Sequence, residues 1–254
     1  ADMWRSGLVY AGDKCKIDSK GRQAARPIVV GLALRRIAGR VPCLQMRSDF
    51  AAFFAKYRQL GIAVPGGIEV AWHAVDSAIR RYESSLDGDM DDMPVVFAFD
   101  SADAFPNSWR STLFANTQDY FPTLLRYTDQ CYGGSGTIYA VADGIVVRNW
   151  DCTNGVWQGD PLGVHHMLLS ILDFLQALVN KCRPFEVFEE GSDFASTTVG
   201  IVDDMTQVVR RKHALELAQW FLEEAPKHGI VLNLSKWQVY MPTHSTEYGI
   251  DRLD

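Results

Sequence analysis

Two apolar runs in this chain each stop abruptly at acid. Val95-Val96-Phe97-Ala98-Phe99 ends at Asp100, and Thr197-Thr198-Val199-Gly200-Ile201-Val202 ends at Asp203-Asp204. Both are rich in β-branched and aromatic residues, the composition of buried strands. Around them the period lengthens. Residues 32–40 place apolar side chains at helical spacing with Arg35 and Arg36 off the apolar face. Helical spacing continues over 50–60, breaks over 61–67 and resumes over 68–82. Further helices are predicted over 108–117, 119–130, 161–179 and 212–227. Residues 138–142 and 145–150 flank Asp143-Gly144, the pattern of a hairpin. A second hairpin is predicted from 199–202 through an Asp203-Asp204 turn to 205–209, with short strands near 230–232 and 238–240. Residues 13–25, polar and basic through Lys14, Lys16, Lys20 and Arg22, read as an exposed loop or ribbon. Strands and helices mixed in this order indicate an α+β fold.

Composition narrows the classes without naming one. A chain of 254 residues can bury a sizeable core in one or two domains, and 47% hydrophobic with 22% charged residues is ordinary for a globular protein. The five cysteines (Cys15, Cys43, Cys131, Cys152, Cys182) are scattered, odd in number and lack a C-x-x-C pair, which argues against a disulfide framework or zinc site. A reducing, intracellular location is the expectation, with nucleus and cytoplasm left open. The longest apolar stretch, 161–179, is interrupted by His165, His166, Asp173 and Gln176, so it reads as a buried helix and no membrane is expected as a partner. The acidic stretch 83–93 lacks the spacing of a calcium loop and reads as solvated. With Ala1-Asp2-Met3-Trp4 at one end and Tyr248-Gly249-Ile250 near the other, the chain reads as an excised domain. A formal charge of −6 opposes a broadly basic nucleic-acid surface.

The acids themselves carry chemistry. If the two strand ends are neighbours, like charges are crowded together, a costly arrangement unless a cation lies between them. Oxygen-only donors suit a hard divalent ion such as magnesium.

Six segments then fall in a recognisable order: Arg26-Pro27-Ile28; Gln59-Leu60-Gly61 through Val64-Pro65-Gly66-Gly67; Asp100-Ser101-Ala102-Asp103-Ala104-Phe105; Gly155-Val156-Trp157-Gln158-Gly159-Asp160-Pro161-Leu162-Gly163; Val202-Asp203-Asp204; and His228-Gly229 through Leu232-Asn233 with Lys236. Over residues 26–250 they resemble the reverse transcriptase domain of non-long-terminal-repeat retrotransposons. The resemblance implies an RNA-directed DNA polymerase with a right-hand fold. Its fingers would run over 1–93 with a return segment at about 106–155, its palm over 94–254, and its thumb would be absent. It implies Asp100, Asp203 and Asp204 as catalytic ligands of two Mg2+ ions (or Mn2+), Asp204 in support, and Lys236 as the catalytic group that protonates departing pyrophosphate. Phe105 would exclude a 2′-hydroxyl beneath the incoming sugar. The backbone at Asp103 and Ala104 would face the triphosphate, Arg26 would clamp it, and Gln158 and Gly159 would contact nucleotide and template. A second phosphate contact would come from among Lys14, Lys16 and Lys20, and Tyr248-Gly249-Ile250 would start the primer grip. The implied partners are an RNA template, a DNA or RNA primer and deoxynucleoside triphosphates. A locally basic groove through Arg22, Arg26, Arg35, Arg36 and Arg40 would offset the acidic total.

Asp160-Pro161 reads independently as N-cap and first helical residue, and His165-His166, about 100° apart on a helix, as core or template contacts. The chain departs from the family pattern at Ile201 (usually aromatic), Asp103 (usually Asn), Trp157 and Trp237. Three alternatives stand beside this reading. One is an impaired or repurposed copy that binds nucleic acid. Another is an RNA-dependent RNA polymerase, opposed by Phe105. The third is a hydrolase or calcium module built on the acids between Asp87 and Asp92.

Overall fold

The computed structural model describes residues 4–17, 23–83, 93–183 and 198–241. Lys20, Arg22, Thr197, Tyr248, Gly249, Ile250 and most of the acidic stretch, 84–92, lie outside the described residues, as do the side chains of Lys14, Lys16 and Arg26. In chain order the elements are β1 (Gly7–Ile17), β2 (Gln23–Gly31), α1 (Ala33–Gln45), α2 (Arg47–Ala55), α3 (Gly67–Glu83), β3 (Pro94–Phe99), α4 (Ala104–Asn107), α5 (Arg110–Tyr120), α6 (Leu125–Tyr132), β4 (Gly136–Ala142), β5 (Ile145–Cys152), α7 (Gly163–Ser170), α8 (Leu172–Cys182), β6 (Thr198–Ile201), β7 (Asp204–Arg210), α9 (Arg211–Glu224) and β8 (Gln238–Tyr240). They sort into two compact units, one of Ala1–Arg47 with Phe105–Ile171 and the other of Ser48–Ala104 with Leu172–Asp254. Among the described residues no helix is long and apolar enough to cross a membrane.

The first unit holds a four-stranded sheet in the order β2-β1-β4-β5. β1 pairs antiparallel with β2 from Gly7↔Gly31 to Ile17↔Gln23, and parallel with β4. Of the polar stretch read as an exposed loop or ribbon, residues 13–17 and 23–25 form the far half of this hairpin. Backbone pairing is indifferent to side-chain polarity, so a polar ribbon gives no apolar alternation to read. Beside the sheet, α5, α6 and α7 enclose Leu113, Tyr132, Met167, Leu168 and Leu169, each at most 1% exposed. The single helix expected over 161–179 is two, because Ile171 leaves helical geometry (φ −110°, ψ 15°) after its N–H bonds the Met167 carbonyl.

The second unit is built on an antiparallel sheet in the order β6-β7-β3-β8. β3 lies inside it, paired with β7 from Pro94↔Arg210 to Phe99↔Met205 and with β8 at Val96↔Tyr240. Both its faces are covered, which is why it reads as a continuous apolar run. On one face Ala78, Val75 and Ile79 of α3 pack against Val96, Val208 and Tyr240. On the other, Phe99 stacks on Phe221 of α9 with centroids 3.9 Å apart and meets the edge of Trp237 at 4.8 Å. Burying a ring such as Phe99 is worth roughly 1.5–3 kcal/mol, so the strand that leads to Asp100 is firmly seated.

Candidate functional site

In the second unit the register of β3 against β7 carries Asp100 and Asp204 to the same end of neighbouring strands, one step beyond the Phe99↔Met205 pair. Adjacent strands lie about 4.8 Å apart. The hairpin turn differs from expectation. Ile201 pairs with Asp204, so Val202 and Asp203 are the two central residues and Asp204 opens β7. Val202 has φ +62°, the left-handed region at the first central residue that a II′-type hairpin turn requires and that Gly normally supplies. Asp203 is half-buried and Asp204 exposed.

A return segment completes this end of the sheet. Asn233 N–H donates to the Asp100 carbonyl at 3.0 Å, Ala102 N–H donates to the Val231 carbonyl at 2.7 Å, and Ser101 bridges Leu232. The short 3-10 turn Leu234–Lys236 then lifts Lys236 so that its ammonium donates to both Asp100 oxygens, at 2.9 and 2.8 Å. Trp237, a departure from the resembled pattern, is the anchor of that turn through its contacts with Phe99 and Phe221. Asp103 adopts φ +49°. Asn and Asp tolerate that region better than other non-Gly residues, so the local backbone accommodates Asp in place of Asn.

The donor set at this end is carboxylate only, which matches a hard divalent cation, and both Asp100 oxygens already face a positive charge. Among the described residues no group of three or more His, Cys, Asp or Glu is gathered closely enough to hold a metal ion. The acids line one sheet end without closing a cage.

The first unit assembles the other expected residues. Arg26 lies on β2 opposite Gly12. Gly159 presses against the same strand: a Cβ there would fall 2.3 Å from the Val29 carbonyl oxygen, so only Gly permits the approach. The Phe105 carbonyl accepts from Val156 N–H at 2.9 Å, which ties it to the 156–159 loop, and its ring is buried at 8% exposure. Gln158 is exposed. With Gly159 it borders an open groove of about 710 Å³ walled by Arg36, Ile37, Arg40 and Val41 of α1.

Arg35 corrects the expectation of a basic groove residue. It is 1% exposed and donates through Nε to Asp160 Oδ2 at 2.9 Å and through Nη1 to the Trp4 carbonyl at 2.6 Å. Its guanidinium lies 3.8 Å over the Trp157 ring and 4.8 Å over Tyr132. Burial opposes its charge, yet Tyr132 and Asp160 outweigh that and hold its pKa above the usual range. Asp160 is correspondingly no helix N-cap. α7 begins at Gly163, and Asp160 accepts from Leu162 N–H at 3.0 Å and from the Tyr132 hydroxyl at 3.0 Å. The cluster fixes the base of the Gln158-Gly159 loop. Behind it His166 contacts Thr128 Oγ1 at 3.1 Å. Burial first, and for His165 also the neighbouring His166, pushes each ring's pKa down to about 4. His166 is a core residue, fully buried.

No protein-family model matches the chain, and no curated protein matches it. Solved structures do. An apo telomerase from Candida tropicalis, truncated from its C-terminal domain, superposes with a TM-score of 0.62 at 13% identity, covering 97% of this chain and 52% of that one. Telomerase from Candida albicans in complex with a TWJ fragment of telomeric RNA gives 0.65 at 12% identity, covering 99% and 44%. The corresponding Candida tropicalis complex gives 0.62 at 12%, covering 95% and 41%. This chain spans about half the length of those proteins or less. At such identity the likeness is one of fold, and this mixed α/β chain shares the fold of telomerase along nearly its whole length.

Proposed function

We propose that the chain is the catalytic portion of an RNA-directed DNA polymerase, of the type resembled in non-long-terminal-repeat retrotransposons, adding deoxynucleotides to a primer 3′-hydroxyl on an RNA template. The observation that carries this reading is the end of the β6-β7-β3-β8 sheet. Asp100 and Asp204 end neighbouring strands, Asp203 sits in the adjoining turn, and Lys236 faces Asp100. The fold shared with telomerase supports it independently.

In this reading Asp100, Asp203 and Asp204 would hold two Mg2+ ions or Mn2+ ions, which would lower the pKa of the attacking hydroxyl and neutralise the triphosphate. Lys236 would leave Asp100 and deliver a proton to the departing pyrophosphate, help worth on the order of 10²–10⁴-fold in rate. Arg26 and the backbone at Asp103 and Ala104 would orient the triphosphate. Phe105 would select deoxyribose by sterics. Gln158 and Gly159 would border the nucleotide and template, next to the exposed Arg36 and Arg40 that supply phosphate contacts where the chain as a whole is acidic. The fingers would take in residues 1–93 with the return segment at about 106–155, and the palm residues 94–254.

A second reading, a nucleic-acid-binding domain that no longer polymerises, draws on the absence of a gathered three-acid group among the described residues. Primer extension on RNA and DNA templates, with deoxynucleotides or ribonucleotides, separates the possibilities. Deoxynucleotide addition on RNA supports the polymerase. Ribonucleotide preference would favour an RNA polymerase, and template-primer binding without addition would favour the non-catalytic domain.

A further inference from the structure

The turn that carries Asp203 is held in an unfavourable shape by a residue 143 positions earlier. Val202 is β-branched and sits at φ +62°, a conformation such residues avoid because Cβ crowds the backbone. An outlier of this sort persists only where its surroundings over-determine it. Here they do. Gln59, 1% exposed, accepts from Val202 N–H through Oε1 at 3.0 Å and donates from Nε2 to the Val202 carbonyl at 3.2 Å. One side-chain amide thus satisfies both polar groups of the strained residue, as a neighbouring strand would.

The backbone around Gln59 is locked to β6 as well. Gly200 N–H donates to the Arg58 carbonyl at 2.9 Å, Leu60 N–H donates to the Gly200 carbonyl at 2.8 Å, and Gln59 and Gly200 form a parallel bridge. Gly200 leaves room for this amide, since a Cβ there would lie 2.3 Å from Gln59 Nε2 and displace it from the turn. The segment from Arg58 to Leu60 therefore runs as a rail along the outer edge of β6 and ends with its amide on the turn. Val202 shares a peptide bond with Asp203, so the φ of Val202 sets where the Asp203 carboxylate is aimed.

Taken with the polymerase reading on which it rests, we propose that Gln59 is a positioning residue that holds Val202 in the left-handed region and thereby aims Asp203. It touches neither substrate nor the reacting atoms. Its removal lets Val202 relax into an extended conformation and swings Asp203 out of register with Asp100. Gly at 202 makes the same backbone shape free of strain, so it removes most of the need for the clamp.

The test compares the full chain with Gln59→Ala, Val202→Gly and the double variant. Three readouts are taken: amide exchange at Val202, Mn2+ binding by electron paramagnetic resonance, and single-nucleotide addition. Gln59→Ala should expose the Val202 amide to exchange at least tenfold faster, weaken Mn2+ binding severalfold and lower kcat by ten- to a hundredfold with KM for nucleotide little changed. Val202→Gly alone should stay within about threefold of the parent, and the double variant should recover at least tenfold of the kcat lost. The proposal is overturned if Gln59→Ala leaves amide exchange and Mn2+ binding unchanged, or if Val202→Gly recovers nothing while both variants merely melt earlier. Should the parent chain add no nucleotide, the polymerase reading fails, and Val202 exchange alone still decides for or against the clamp.

Discussion

The Lys236 ammonium lies 2.9 and 2.8 Å from the two oxygens of Asp100, a residue 136 positions earlier. The pair is partly open to solvent, with Lys236 48% and Asp100 22% exposed, and such pairs contribute about 0–1 kcal/mol. Stability is therefore no reason to keep this lysine. Lys236→Ala should leave the urea unfolding midpoint almost unchanged while slowing nucleotide addition by about 10²-fold or more, the scale of lost proton transfer. Measuring both on one preparation separates chemistry from folding.

The Arg35–Asp160 pair should behave in the opposite way. Both side chains are at most 1% exposed, and removing one partner of a buried pair strands the other charge, at a cost of about 3–5 kcal/mol. Arg35→Met should lose that much in denaturant unfolding. The double variant Arg35→Met, Asp160→Leu should recover a large part of it, since no buried charge then lacks its counterion.

Acid should weaken the fold through His165 and His166. Their folded pKa is about 4 against an ordinary 6.5. Between those values the unfolded chain binds protons that the folded chain refuses, so stability present above about pH 6.5 is lost as pH falls toward 4. For the fully buried His166 the full shift corresponds to about 3 kcal/mol. Unfolding midpoints at pH 7 and pH 4.5 check this, and His166→Gln should flatten the dependence.

Phe105 combines a core position with the proposed sugar gate. Phe105→Val keeps part of the buried volume while opening space, so the ratio of ribonucleotide to deoxynucleotide incorporation should rise by about tenfold or more, the scale of steric discrimination. Competition between the two nucleotides in one extension reaction measures it.

Much of the second unit is legible in the sequence. β3 announces itself because a strand covered on both faces needs an unbroken apolar run, and the helix expected over 212–227 is present as α9 and the helical turn that follows it. Other features had no local signature. Arg35 departs from expectation because a charged residue off an apolar stripe normally faces water, and its partner Asp160 is 125 positions away. The break at Ile171 is invisible because the residues on both sides are apolar. The hairpin at 199–209 is expected, but its turn falls one residue earlier than the Asp203-Asp204 expected, since Val202 is no turn-former by type and its support, Gln59, belongs to another part of the chain. Trp237 read as a departure from pattern, yet it is the ring that seats the turn bearing Lys236.

The most direct test of the account is single-nucleotide primer extension on an RNA template at low ionic strength with saturating template-primer, comparing the parent chain with Asp100→Asn and Asp203→Asn. Mg2+-dependent addition of a deoxynucleotide by the parent is expected, with a loss of at least about 10³-fold in each variant, since both residues are assigned to metal-assisted chemistry. Extension by Asp203→Asn at the parent's rate, or no extension by the parent, would contradict it.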